Sequence, residues 1–125
     1  MAHKILIVDD EPDLVESCAR FLGLKGYKCF RAFCRIDAFN EIDLHAPEMV
    51  LTDLHLPDGN GIEIANYVRV RIPKSQVVVM TAYHSPDAAR DAASAGVVGY
   101  LRKPFAMVEL GEIVERAFAG ETVVR

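Results

Sequence analysis

No apolar run in these 125 residues approaches the roughly 18 that a helix needs to cross a membrane, so the expectation is a soluble protein. The opening Met1-Ala2-His3-Lys4 leads straight into Ile5-Leu6-Ile7-Val8, without the spacer and small-residue cleavage site of a signal peptide. The expected compartment is therefore the cytoplasm. Only three cysteines are present, Cys18, Cys29 and Cys34, in no C-x-x-C pair, and an odd number argues against a disulfide framework. Reduced thiols are expected. The net charge is -4 and no Lys/Arg cluster breaks it, which leaves no electrostatic footprint for nucleic acid or an anionic membrane. His3, His45, His55 and His84 lack metal-ligand spacing such as H-E-x-x-H and read as surface residues, so no zinc site is expected. Repeats and low-complexity stretches are missing too. The domain is expected to run over 1–120, with 121–125 a tail or the start of a linker.

What is present is an ordinary globular composition, 51% apolar and 26% charged. A single domain of this size buries roughly two-thirds of the surface its unfolded chain exposes. Apolar runs predict strands over 4–8, 27–32, 48–51, 76–80 and 97–101. Four of these are continuously apolar, as strands of a parallel sheet covered on both faces should be; the second is mixed and suits an edge. Helical patterns fill the gaps at 12–25, 36–44, 61–72, 86–95 and 107–119. Pro12 and Pro86 fall at first-turn positions, and Ser85 suits an N-cap. Cys18 falls on the inner face of its helix and reads as a small core residue. The alternation predicts a single α/β (βα)5 domain, a doubly wound, five-stranded parallel sheet with right-handed crossovers.

In open α/β sheets the functional crevice lies beyond the carboxyl ends of the strands. The residues there are polar: Asp9-Asp10-Glu11 after the first strand, Asp53 after the third, Thr81 after the fourth and Lys103 after the fifth. Three carboxylates brought together repel and desolvate one another, so the site should either hold a proton or bind a cation. All-oxygen ligands on short, open loops suit a hard ion such as Mg2+, with Mn2+ as a substitute. Lys103 and Thr81 could then meet the oxygens of a phosphoryl group, a transfer that needs little beyond positioning and charge neutralisation. Asp9 and Asp10 are a natural metal-holding pair, whereas Asp53 stands alone and is the better acceptor. Gly59 and Gly61 read as turn glycines.

Residues 4 to about 119 resemble the receiver domains of two-component response regulators, the CheY-like superfamily. The resemblance rests on Val8-Asp9-Asp10-Glu11-Pro12, on Thr52-Asp53-Leu54-His55-Leu56-Pro57-Asp58-Gly59-Asn60-Gly61, on Met80-Thr81-Ala82, and on Gly99-Tyr100-Leu101-Arg102-Lys103-Pro104-Phe105. It implies the flavodoxin-like strand order 2-1-3-4-5 and a signalling switch in place of an enzyme. Asp53 would be phosphorylated from a phosphohistidine on a sensor histidine kinase or phosphotransfer protein. Asp10, Asp53 and the main-chain carbonyl of His55 would bind Mg2+, and Asp9 would support that ion through water. Lys103 would pair with the phosphoryl group, Thr81 would move to bond it, and Tyr100 would follow as the aromatic switch. The Lys103-Pro104 bond is expected to be cis. A missing output domain or downstream protein would read the face of helix four, strand five and helix five, and a phosphorylation-dependent homodimer fits the same scheme.

In the family resembled, the positions of bulky His55 and Tyr83 flank the route of an attacking water, which implies slower self-dephosphorylation than with small polar residues there. Gly99 stands where many winged-helix regulators carry an acidic residue used in dimer salt bridges, which puts that dimer mode in doubt. The segments Met80-Thr81-Ala82-Tyr83 and Val114-Glu115-Arg116-Ala117 look more like receivers attached to ATP-dependent transcription activators. The fourth helix offers only alanines to the core, so it and residues 82–85 are expected to move most on phosphorylation. Three rivals fare worse. A phosphatase of this kind would place a second Asp two residues from its nucleophile on the first strand. A nucleotide or flavin binder would not set Asp9-Asp10 against phosphates. A phosphorylation-independent interaction module would have lost the acceptor or the lysine.

Overall fold

The computed structural model describes residues 2–83 and 85–124; His84, one of the expected surface histidines, lies outside the described residues. In chain order the elements are β1 (Lys4–Val8), α1 (Pro12–Leu24), β2 (Lys28–Ala32), α2 (Arg35–His45), β3 (Met49–Thr52), β4 (His55–Leu56), β5 (Gly59–Asn60), α3 (Gly61–Arg71), β6 (Gln76–Thr81), α4 (Pro86–Ser94), β7 (Gly99–Arg102), α5 (Met107–Phe118) and β8 (Val123–Val124). The five long strands run parallel in the order β2-β1-β3-β6-β7, which among themselves is the expected 2-1-3-4-5, with the mixed strand β2 at an edge. Two small features join them. β4 and β5 form a separate antiparallel hairpin, and β8 extends the main sheet beyond β7 with Val123 opposite Gly99.

Alternation along the strands builds two cores. Ile5, Ile7, Met49, Leu51, Val78 and Met80 face α1 and α5, where Cys18, Leu22, Leu110 and Ile113 meet them. Leu6, Val8, Val50, Val77 and Val79 face α2, α3 and α4. No helix among the described residues is long and apolar enough to cross a membrane.

Turn chemistry sets where elements begin and end. Ser85 caps α4, its hydroxyl accepting from the Ala88 amide at 2.9 Å. At the other end Gly96, at a φ of 87°, lets its own amide reach Ala93 and the Val97 amide reach Ala92. This double closure explains why β7 starts at Gly99 and not at 97: Val97 is buried against the helix it terminates. Gly120, at a φ of 89°, ends α5 in the same way and sends the chain back along β7 as β8.

Candidate functional site

The strand register brings the polar residues together. Val8 lies opposite both Ala32 and Thr52, and Thr81 lies opposite Arg102, so Asp9, Asp53 and Lys103 emerge side by side at one sheet edge. The ladders run one residue further, with the Asp53 amide donating to Val8 at 3.0 Å and the Lys103 amide to Thr81 at 2.9 Å. The main chain therefore fixes these Cα positions before any side-chain contact forms. The Lys103-Pro104 peptide is cis.

Lys103 lies at the centre. Its ammonium donates to Asp9 Oδ2 at 2.6 Å, Asp53 Oδ2 at 2.8 Å and Glu11 Oε1 at 3.2 Å, and its side chain is only 10% exposed. Burial works against that charge, yet the bonds to Asp53 and Asp9 outweigh it and hold the ammonium above the ordinary lysine range. Asp9 is fully buried, and burial pushes its carboxyl up; the Lys103 ammonium and the Glu11 amide, at 3.0 Å from Asp9 Oδ1, pull it back only in part. Carboxylate oxygens of Asp9, Asp10 and Asp53 all lie within 4.8 Å of one another, and Asp10 is exposed. Such a donor set, anionic, all oxygen and open to water on one side, fits a hard divalent cation such as Mg2+ that keeps part of its hydration shell.

The other expected residues adjoin this cluster. The His55 amide donates to Asp53 Oδ1 at 3.2 Å. Thr81 is buried, and its Oγ1 accepts from the Tyr83 amide at 3.0 Å. Tyr100, 6% exposed, donates its hydroxyl to the Tyr83 carbonyl at 3.0 Å, so Thr81 and Tyr100 grip the same residue. The rings of His55 and Tyr83 meet edge to face at 5.2 Å.

Three features escape sequence reasoning. Glu11 touches Lys103, for which its place beside the acidic pair was the only signal. The buried Thr52 hydroxyl donates to the Asp53 carbonyl at 2.9 Å, which a threonine in an apolar strand does not announce. The two loop glycines are correctly placed but for another reason. Neither has a positive φ. A Cβ on Gly61 would stand 2.5 Å from the Asp53 carbonyl oxygen, so close approach to the main chain and not turn geometry excludes a side chain there, whereas one on Gly59 would stand 2.6 Å from Cδ of Arg35, a side chain that would have to move aside.

The family model for the response regulator receiver domain matches residues 5–115. The chain belongs to this family. The receiver is 37% identical over 116 residues to the response regulator protein PilR of Pseudomonas aeruginosa, an alignment that covers 92% of this chain and 26% of that protein. It is 30% identical over 116 residues to sporulation initiation phosphotransferase F of Bacillus subtilis, covering 93% of this chain and 94% of that one. The chain thus spans about a quarter of the length of PilR but nearly all of the phosphotransferase. Among solved structures, a CheY-like receiver domain protein from Methanospirillum hungatei superposes with a TM-score of 0.92 at 25% identity, covering 96% of both chains.

Proposed function

We propose that this receiver is a phosphorylation switch whose acceptor is Asp53. The observation that carries the reading is the Asp53 carboxylate held between the Lys103 ammonium and the acidic pair at an open sheet edge. The donor is a phosphohistidine of a sensor histidine kinase or phosphotransfer protein. Its N–P bond breaks as an Asp53 oxygen bonds phosphorus, and the histidine nitrogen leaves with the electron pair and takes up a proton. Asp10, Asp53 and the His55 carbonyl would hold Mg2+, with Asp9 supporting it through water, and the ion would supply positive charge to the phosphoryl oxygens. Lys103 exchanges a carboxylate partner for a phosphoryl oxygen, and Thr81 turns its hydroxyl to another. That motion takes the Thr81 oxygen from the Tyr83 amide, and Tyr100, bonded to the same residue, follows it.

The output is the face of α4, β7 and α5, read by an output domain or a separate protein, or paired in a phosphorylation-dependent homodimer. The several transcriptional regulators among the relatives favour transcription control as one such output. The domain works in the cytoplasm as a switch, turning over no free substrate, touching no nucleic acid itself and acting on no reaction but its own phosphorylation and its slow reversal.

Intact mass after incubation with phosphoramidate and Mg2+ tests this. A labile phosphoryl adduct that requires Mg2+ and disappears in Asp53→Asn is expected. A folded, Mg2+-binding protein that forms no adduct overturns the reading in favour of a phosphorylation-independent interaction module.

A further inference from the structure

The β4–β5 hairpin carries His55, and so one side of the acceptor site, yet it has only a two-residue ladder of its own. It is held from outside. At its tip Asp58 reaches across to the start of α2, where its Oδ1 accepts from the Arg35 amide at 2.6 Å and its Oδ2 from the Ile36 amide at 3.0 Å. Those amides are the first two of the helix and need acceptors from somewhere. Cys34, at the N-cap of α2, makes no side-chain cap hydrogen bond. The cap is thus supplied from 23 residues further along the chain. A second grip lies beside it: Arg35 Nη1 meets Glu63 Oε2 at 2.5 Å, and Glu63 Oε1 accepts from the Asn60 amide at 3.2 Å, closing the far end of the same hairpin. The Arg35 side chain crosses Gly59, its Cδ 2.6 Å from where a Cβ would stand.

A helix that wanted only a cap could have taken it from Ser, Thr or Asp at position 34. Placing it on the hairpin tip joins two segments that nothing in their local sequence connects. From this we infer that Asp58 is a positioning residue for the acceptor site, tying the His55–Asn60 hairpin to α2 so that the His55 main chain stands ready for the metal and the phosphoryl group. The inference rests on the phosphoacceptor reading above. Groups that hydrogen-bond a metal ligand directly typically change metal affinity by about 10- to 100-fold, and Asp58, which acts through the hairpin while the Arg35–Glu63 grip survives, belongs at the lower end.

The test separates a tether from a mere helix cap. Asp58→Ala is made alone and together with Cys34→Ser, which gives α2 a local cap and no link to the hairpin. Mg2+ binding is followed by NMR titration, hairpin amides by hydrogen exchange without metal, and stability by urea denaturation. In Asp58→Ala, Mg2+ affinity falls about tenfold and the amides of residues 55–61 exchange faster. Adding Cys34→Ser restores stability but neither of these, whereas Asp58→Asn, which keeps one of the two acceptor oxygens, recovers part of both. Wild-type affinity and exchange in Asp58→Ala, or full recovery of both by Cys34→Ser, overturns the inference. Wild-type protein that binds Mg2+ but takes no phosphoryl group from phosphoramidate overturns the phosphoacceptor reading instead, and the Mg2+ and exchange comparisons still decide the role of Asp58.

Discussion

Helices α4 and α5 flank the same end of the sheet from opposite faces, and they are attached to it by very different means. α5 buries Leu110, Ile113, Val114 and Ala117. α4 buries Ala92 alone, with Ala88 and Ala89 partly covered. A fully buried Leu or Ile is worth about 1.5–3 kcal/mol in transfer free energy and an alanine methyl a fraction of that, so the two helices differ by several such side chains. α4 is well formed all the same, with Pro86 in its first turn, the Ser85 cap at one end and the Gly96 closure at the other. It is locally sound and weakly anchored. A rigid body that sits loosely on one face of a sheet whose other face is locked can shift without unfolding, which is what the switch proposed above asks of an element next to Thr81 and Tyr100.

The comparison breaks most readily at α5. Ile113→Ala should cost about 2–5 kcal/mol, whereas Ala92→Gly at the best-buried point of α4 should cost only about 0.5–1 kcal/mol, both read from urea denaturation. Equal losses would show that α4 is anchored as firmly as its partner. A smaller and more local effect concerns the switch. With beryllofluoride and Mg2+ as phosphoryl mimic, hydrogen exchange should change by roughly severalfold in residues 81–83 and α4 while α5 stays unaltered, and Thr81→Ala should suppress the change. An unchanged α4 would refute the motion proposed for it. The subtlest test uses pH. Burial in the α1/α5 core pushes the Cys18 thiol from 9.0 up to about 12, so the native state holds that proton more tightly than the unfolded chain does. Stability contributed this way is complete below pH 9 and is lost as pH rises through about 12. Cys18→Ala should make the alkaline fall in stability shallower, and an identical slope would mean that this face opens to solvent as easily as the other.

Much of this could be read before any coordinates. Parallel strands all point one way, so residues that follow them converge on one edge whatever the register, and that is why Asp9, Asp53, Thr81 and Lys103 could be grouped from position alone. The alanine face of α4 was equally plain, because periodicity shows what a helix offers its core. What escaped depends on pairings between distant segments. Nothing near Asp58 says that it caps a helix 23 residues earlier. The two-residue strands β4, β5 and β8 are too short for a periodic signal, and β8 owes its place to the turn at Gly120 as much as to its valines. Val97 is apolar and so reads as the start of the last long strand, but apolarity alone does not separate a strand residue from the hydrophobic stop of a helix.

β8 bears on how this face meets other molecules. Its pairing fills the β7 edge, and Val123, 3% exposed, sits in the core beneath α5. A partner strand approaching that edge meets a competitor tethered by a few residues, at an effective concentration on the order of millimolar. Added pairing at β7 and release of residues 123–124 are therefore one coupled equilibrium, and a partner's apparent affinity there is its intrinsic affinity reduced by the fraction of molecules in which the edge is already taken.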